Sequence, residues 1–344
     1  MSLYLPNGYI NIPYLRSSGC PFIFIIGGRG IGKTYGTLQE VYDKREKFIY
    51  SLRQSNHVDL VATPEFNPWK KFNADRGLHI GAIPIPKANA YGFHEFENEK
   101  PKGPELGIAA SLISLAGKRG FDGSDVKVWF VDEFIRKKTE RRVKGEGTLI
   151  FDGYETINRN RELYGEQPLQ AILCTNSNTL DCEILYEFEL LGKIERMKRD
   201  GQSLSIMKER GICVALIPND NPITQRKRQT ALYRALGSNS SYADMALEND
   251  FAEISDQNVK SEQLIQWTPL AQIAELYVYK HKSESRYYVT LSRSGTFNSI
   301  YQLEDNDIRR FIRKYSYLYS AYMQNRVTFE TSACEVIFSR YLSY

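Results

Sequence analysis

Cysteine is scarce and scattered in this sequence. Cys20, Cys174, Cys182, Cys213 and Cys334 are the only five in 344 residues, and no two of them form a C-x-x-C pair. An odd, dispersed set of this kind argues against a disulfide framework and against a cysteine-built zinc site, and reads as reduced, mostly buried thiols. No apolar run approaches the roughly 20 residues that a membrane-spanning helix needs, and residues 1–15 lack a signal-peptide core. The expectation is a cytosolic protein with no membrane partner. Internal repeats and low-complexity tracts are missing as well. A strong excess of either charge is also missing, with 45 Lys and Arg against 41 Asp and Glu, so the net +4 does not by itself establish a polyanionic partner. What is present is globular: 42% hydrophobic and 25% charged residues exclude disordered, collagen-like and coiled-coil classes. The length predicts two domains, or one large domain with an appendage.

The first two-thirds alternate strand and helix. Pro21–Ile26, Lys47–Leu52, Val126–Val131 and Leu169–Cys174 are short apolar runs bounded by polar or turn residues, as buried parallel strands are. After Gly32, Tyr35, Leu38 and Val41 fall on one face of a helix. Asp200-Gly201, between Lys193–Met197 and Leu204–Met207, predicts a hairpin that closes the first domain. Asn219-Asp-Asn-Pro222 then opens a basic helix carrying Arg226, Lys227, Arg228 and Arg234, with Gly237 just past its end, and a second short helix starts at Ser240 or Ser241. From about residue 257 the texture becomes a tyrosine-rich alternation, followed by a helical pattern from Ile308 to Met323. The predicted organisation is a domain over 1–217, a helical linker over 218–256 and a small α+β domain over 257–344.

One motif carries chemistry by itself. Gly27-Gly28-Arg29-Gly30-Ile31-Gly32-Lys33-Thr34 fits G-x-x-x-x-G-K-[ST] and stands between an apolar strand and a helical pattern. Glycines let the backbone curl so that its N–H groups converge on phosphate oxygens, and the helix N-terminus adds a favourable dipole. Lys33 would reach the β- and γ-phosphates and Thr34 would offer its hydroxyl to Mg²⁺. The strand Val126–Val131 ends in Asp132-Glu133. An aspartate there holds Mg²⁺ and a following glutamate activates the attacking water, which favours hydrolysis over transfer to an acceptor. No guanine-reading N-K-x-D string is present, so ATP is preferred to GTP. Asn176 follows the strand Leu169–Cys174, as a γ-phosphate sensor would, and equally as a loop cap would. Arg159 and Arg161 stand between these strands, where a solvated basic face and an arginine presented to a neighbouring subunit are both open readings.

Taken together, Gly-Arg-Gly-Ile-Gly-Lys-Thr at 28–34, Lys-Phe-Ile-Tyr at 47–50, Val-Asp-Glu-Phe-Ile-Arg at 131–136, Arg-Asn-Arg-Glu at 159–162 and the Thr-Asn strand end resemble the DNA-packaging motor ATPases of phi29-like short-tailed phages. The resemblance implies an α/β fold: an additional-strand, terminase-like P-loop NTPase with a mainly parallel sheet, a helical linker, and a small α+β C-terminal domain that is RNase H-like and inactive. It implies a homo-oligomeric, pentameric ring on the portal that drives double-stranded DNA into a procapsid, using ATP and Mg²⁺. By position, Gly27 to Thr34 bind nucleotide, Thr34 and Asp132 hold the metal, Glu133 activates water, and Arg159, rather than Arg161, is the finger supplied in trans. A second trans-acting basic residue of the family has only Arg53 as a counterpart here. The same resemblance implies a location in the host cytoplasm, transiently at the portal vertex and not in the mature virion; a structural RNA is a further partner that the residues leave open.

The segment Arg136–Lys144 is densely basic. Lys137, Lys138, Arg141, Arg142 and Lys144 would touch DNA phosphates in a ring channel without reading sequence, or simply be a solvated charge run. In the terminal domain, Glu275, Glu304, Asp305 and Asp307 are the local acids, and the last three gather at one helix start, where the helix dipole favours them. No nuclease activity is expected. The other readings are a helicase or partition-type ATPase and a small-molecule kinase.

Overall fold

A computed structural model describes residues 2–117, 122–135, 145–176, 182–217, 222–235, 258–302 and 304–342. The chain divides into two compact units, one of Met1–Asn178, Cys182–Phe188 and Met197–Asp250, the other of Thr179–Asp181, Glu189–Arg196 and Phe251–Tyr344.

The first unit is built on nine strands: β1 (Phe22–Ile26), β2 (Lys47–Leu52), β3 (Ile80–Ile85), β4 (Ala90–Glu97), β5 (Lys100–Ser111), β6 (Val126–Val131), β7 (Gln170–Thr175), β8 (Leu204–Met207) and β9 (Ile212–Leu216). Its helices are α1 (Ile12–Arg16), α2 (Lys33–Asp43), α3 (Ser55–Asp59), α4 (Lys70–Arg76), α5 (Leu112–Ala116), α6 (Glu146–Asn158), α7 (Glu183–Glu187), α8 (Leu191–Arg199, whose first part lies in the other unit), α9 (Pro222–Arg228) and α10 (Ala231–Ala235). The strands form one sheet in the order β3-β4-β5-β2-β6-β7-β1-β9-β8.

The six central strands, β5 to β9 in that order, pair parallel. Their sequences are apolar throughout because both faces are covered. Along β1, Ile23 and Ile25 enter a core with Leu38 and Val41 of α2. Phe24 points the other way and packs against Phe134 and Phe188, with ring centroids 5.8 and 5.1 Å apart. The four expected strands and the helix after Gly32 are all present. Strand β7 lies between β1 and β6, so the glycine-rich turn and the paired carboxylates sit on strands separated by an inserted one.

Several elements differ from the sequence reading. Strands β3, β4 and β5 extend one edge of the sheet with antiparallel pairing, and β8 closes the other edge antiparallel to β9. Lys193–Met197 is helical, not a hairpin strand. Leu190, Leu191, Ile194 and Met197 are buried at three- and four-residue spacing. Gln202 N–H bonds to Met197 O and Gly201, at φ +65°, bonds to Lys198 O, so Asp200-Gly201 is the left-handed stop of α8. The basic helix expected from Pro222 breaks after Arg228. Thr230 turns both its N–H and its hydroxyl onto Lys227 O, and α10 starts afresh at Ala231. The helix expected at Ser240 lies outside the described residues.

The second unit carries a five-stranded sheet of β10 (Trp267–Ile273), β11 (Leu276–His281), β12 (Tyr287–Thr290), β13 (Ile300–Tyr301) and β14 (Val327–Phe329), in the order β13-β10-β11-β12-β14. Helices α11 (Asp305–Lys314), α12 (Tyr317–Met323) and α13 (Ser332–Leu342) accompany it, the first two replacing the single helix expected up to Met323. Tyr279 and Tyr288 are buried with Trp267 and Phe297, so these alternating tyrosines are sheet packing. The acids have local partners. Asp307 accepts from Gln302 N and from Arg310, and Glu275 accepts from the Tyr341 hydroxyl.

Candidate active site

The glycine-rich turn leaves β1 and enters α2 through Gly32, the N-cap, at φ +87°. Only glycine adopts that conformation without strain. Lys33 is the first residue of α2 and is buried. Its ammonium donates to Gly27 O (2.8 Å), Gly28 O (2.8 Å) and Asn176 Oδ1 (2.7 Å). Burial lowers its pKa from 10.5 to about 8, against the opposing pull of nearby acids that include Asp132. The lysine is thus held inside the cradle.

Asp132 stands one residue past β6, its N–H bonded to Ser51 O at the end of β2. Its Oδ2 accepts from the Thr34 hydroxyl (2.8 Å) and from Tyr50 Oη (3.4 Å). Burial raises its pKa, and the Thr34 hydrogen bond opposes that rise. Glu133 follows at φ +51°, a left-handed conformation uncommon outside glycine and concentrated at functional sites. Its N–H bonds to Asp132 Oδ1, and Phe134 N–H hooks onto Cys174 O of β7. This turn lifts the Glu133 carboxylate out of the strand, where Oε1 accepts from Asn176 Nδ2 at 3.1 Å.

Asn176 therefore bridges Lys33 and Glu133 with its two amide atoms. The cradle from Gly27 to Thr34, the Asp132-Glu133 pair and Asn176 converge at the C-terminal ends of β1, β6 and β7, the end of a parallel sheet where ligands bind. A hydroxyl and a buried carboxylate 2.8 Å apart are hard oxygen donors, and Mg²⁺ is ordinarily held by one or two such groups together with substrate phosphates. Thr34 and Asp132 fit that ion.

The arginines separate. Arg161 is buried, and its guanidinium donates to Val126 O (2.6 Å), Ile157 O (3.2 Å) and Gly123 O, tying the end of α6 to the start of β6 within its own chain. Arg159 caps α6 in the left-handed region and is exposed. Arg53 is buried, with Nε 2.5 Å from Glu146 Oε1 and Nη2 3.3 Å from Oε2. Sequence reasoning missed that partner, because Glu146 has no motif around it. Lys137, Lys138, Arg141, Arg142 and Lys144 lie outside the described residues.

A glycine cradle at a strand-to-helix turn, an acid pair ending a non-adjacent strand and a polar residue ending the strand inserted between them define an additional-strand P-loop ATPase. The particular member follows from comparison: the sequence profile of the Podovirus DNA encapsidation protein (Gp16) family matches residues 7–337, and the chain belongs to that family. It is a phage DNA-packaging ATPase. Among solved structures the fold is similar to the bacteriophage Phi-29 viral genome packaging motor assembly, with TM-score 0.65, 18% identity and coverage of 97% of this chain and 99% of that one. It is also similar to the Phi-28 gp11 DNA packaging motor, with TM-score 0.62, 16% identity and 98% of each chain covered. No curated protein sequence matches.

Proposed function

We propose that this chain hydrolyses ATP to move double-stranded DNA into a phage procapsid, acting as one subunit of a homo-oligomeric ring on the portal, with five subunits as the expected number. The observation that supports it most is the hydrogen-bonded chain Lys33–Asn176–Glu133, beside the Thr34–Asp132 pair. It joins the phosphate-binding lysine to the water-activating carboxylate through one amide. Lys33 and the backbone N–H groups from Gly28 to Thr34 bind and orient the triphosphate. Mg²⁺, when bound, neutralises charge developing on the transferred phosphoryl group. The Glu133 carboxylate takes the proton of the attacking water while Asn176 keeps it aimed.

Arg159 acts in trans in this reading. It caps the end of α6 that Arg161 anchors at Val126, the first residue of β6. Roughly 20 Å of strand separates that end from Asp132 in the same chain. An arginine there serves a neighbour's nucleotide. The basic segment 136–144 provides sequence-independent phosphate contacts in the ring channel, residues 218–256 link the domains, the terminal domain has no nuclease role, and the ring sits at the portal vertex only during packaging in the host cytoplasm.

The test is phosphate release by purified protein with and without duplex DNA. Wild type is expected to turn over ATP faster with DNA, and Glu133→Gln to bind ATP while losing about 10²–10⁴ in rate. Equal turnover by Glu133→Gln would remove the assignment.

A further inference from the structure

The basic helix after β9 has no part in the site as described so far, yet it is docked on the cradle. Lys227 of α9 donates from its ammonium to the carbonyl oxygen of Arg29, inside the glycine-rich turn. Its stem lies along Gly30, which is at φ +75°, and a Cβ on that glycine would meet Lys227 Cε at 2.9 Å and Nζ at 3.1 Å. The neighbouring Arg226 donates to Asn7 O (3.1 Å), two residues before Tyr9, whose ring covers Gly32. Thus α9 touches the turn at Gly30 and is tied to the N-terminal segment that packs on it at Gly32.

Lys227 is half-buried, and among the described residues its ammonium has a carbonyl and no carboxylate as partner. Arg29 and Lys33, both cations of the cradle, lie close enough to repel it, and burial followed by Arg29 lowers its pKa. Three cations around one turn, without a neutralising acid beside the third, form a site suited to a polyanion. A triphosphate seated on the turn would give Lys227 a charged acceptor in place of the neutral Arg29 carbonyl, and a charged acceptor binds an ammonium more strongly.

We propose that Lys227 is a further phosphate-binding residue of this site, and that transfer of its ammonium from the Arg29 carbonyl to the nucleotide's phosphates couples cradle occupancy to α9. This inference rests on the nucleotide-binding reading above and adds a residue and a route to it. Helix α9 is the first helix after the last central strand, so a change there passes directly into the segment that leaves the ATPase sheet.

The experiment is calorimetric titration of full-length wild type, Lys227→Met and Lys227→Arg with Mg·ATP, with hydrogen exchange over residues 222–235 read at saturating nucleotide. Methionine keeps the aliphatic stem on Gly30 and removes the charge; melting curves without nucleotide check that the fold is kept, and Lys227→Gln makes the same comparison if they show a loss. Expected are an affinity loss of about tenfold or more in Lys227→Met, recovery to within about threefold in Lys227→Arg, and ATP-dependent slowing of exchange in α9 that Lys227→Met lacks. An affinity within twofold of wild type, or ATP-dependent protection of α9 persisting in Lys227→Met, overturns the proposal. Wild type that fails to bind Mg·ATP at all overturns the parent reading instead, which separates the two failures.

Discussion

Lys33 Nζ, at the start of α2, and Asn176 Oδ1, one residue past β7, are 2.7 Å apart, and the other amide atom of Asn176 holds Glu133. One side chain, a residue past the inserted strand, thus holds both Lys33 and Glu133, the proposed phosphate-binding cation and the proposed water-activating carboxylate. Replacing Asn176 by alanine is expected to lower kcat by about 10²-fold while shifting the KM for ATP much less, because the cradle's backbone donors remain in place. Steady-state phosphate release checks this. A change confined to KM would show that Asn176 serves binding alone.

The two candidate arginines should separate in a stability measurement. Arg161→Ala leaves the carbonyls of Val126, Ile157 and Gly123 without its guanidinium in a buried site, and is expected to cost about 2–4 kcal/mol in denaturant unfolding. Arg159→Ala, at an exposed helix end, is expected to leave the unfolding midpoint unchanged and to abolish turnover in the ring. Mixing it with Asp132→Asn subunits should restore activity at interfaces where an intact site meets an intact Arg159. Dead mixed rings from well-assembled variants would withdraw Arg159 from the trans role.

How much could be read beforehand follows from where each signal is stored. The cradle and the Asp132-Glu133 strand end are contiguous strings whose chemistry fixes their spacing, and the four buried parallel strands announce themselves as unbroken apolar runs. The edge strands do not. In β5, Lys100 to Pro104 are exposed and polar or turn-forming, and only the pairing with β4 makes them a strand. Asp200-Gly201 is ambiguous in principle, since the left-handed conformation that suits a tight hairpin also ends a helix. The three-residue step from Ile194 to Met197 was the signal that favoured a helix. The Arg53–Glu146 and Lys227–Arg29 contacts join residues 93 and 198 positions apart, and no local pattern reports them.

The Arg53–Glu146 pair is buried at 2.5 Å and fastens the end of β2 to the first residue of α6. Removing one partner strands the other charge in a site shielded from water, so Arg53→Ala or Glu146→Ala is expected to cost about 3–5 kcal/mol. Replacing both by apolar residues of similar volume, Arg53→Met with Glu146→Leu, should cost clearly less than either single change. A double-mutant cycle in urea measures the coupling, and additive losses would show that the pair contributes no net interaction. Arg53, the residue nearest the expected place of a second trans-acting basic group, thus has its guanidinium paired with a carboxylate of its own chain.

The buried Lys33 makes a prediction about pH. Its pKa is about 8 in the fold against 10.5 in the unfolded chain. Below pH 8 both states are protonated and the fold bears the cost of a desolvated charge. Between about 8 and 10.5 the native amine is neutral while the unfolded one remains charged, so the unfolded state binds more protons and stability rises with pH. Tyrosines that burial shifts upward, Tyr50 among them, act in the opposite sense near and above pH 10. The measurable quantity is therefore the difference between wild type and Lys33→Met, each unfolded by denaturant at pH 7, 8, 9 and 10. Wild type should gain about 1–3 kcal/mol relative to Lys33→Met across that range. Saturating Mg·ATP should remove the gain, since a triphosphate beside Lys33 favours the charged amine and returns its pKa toward the ordinary value. Parallel curves for the two proteins without nucleotide would show that the lysine is not desolvated in the cradle.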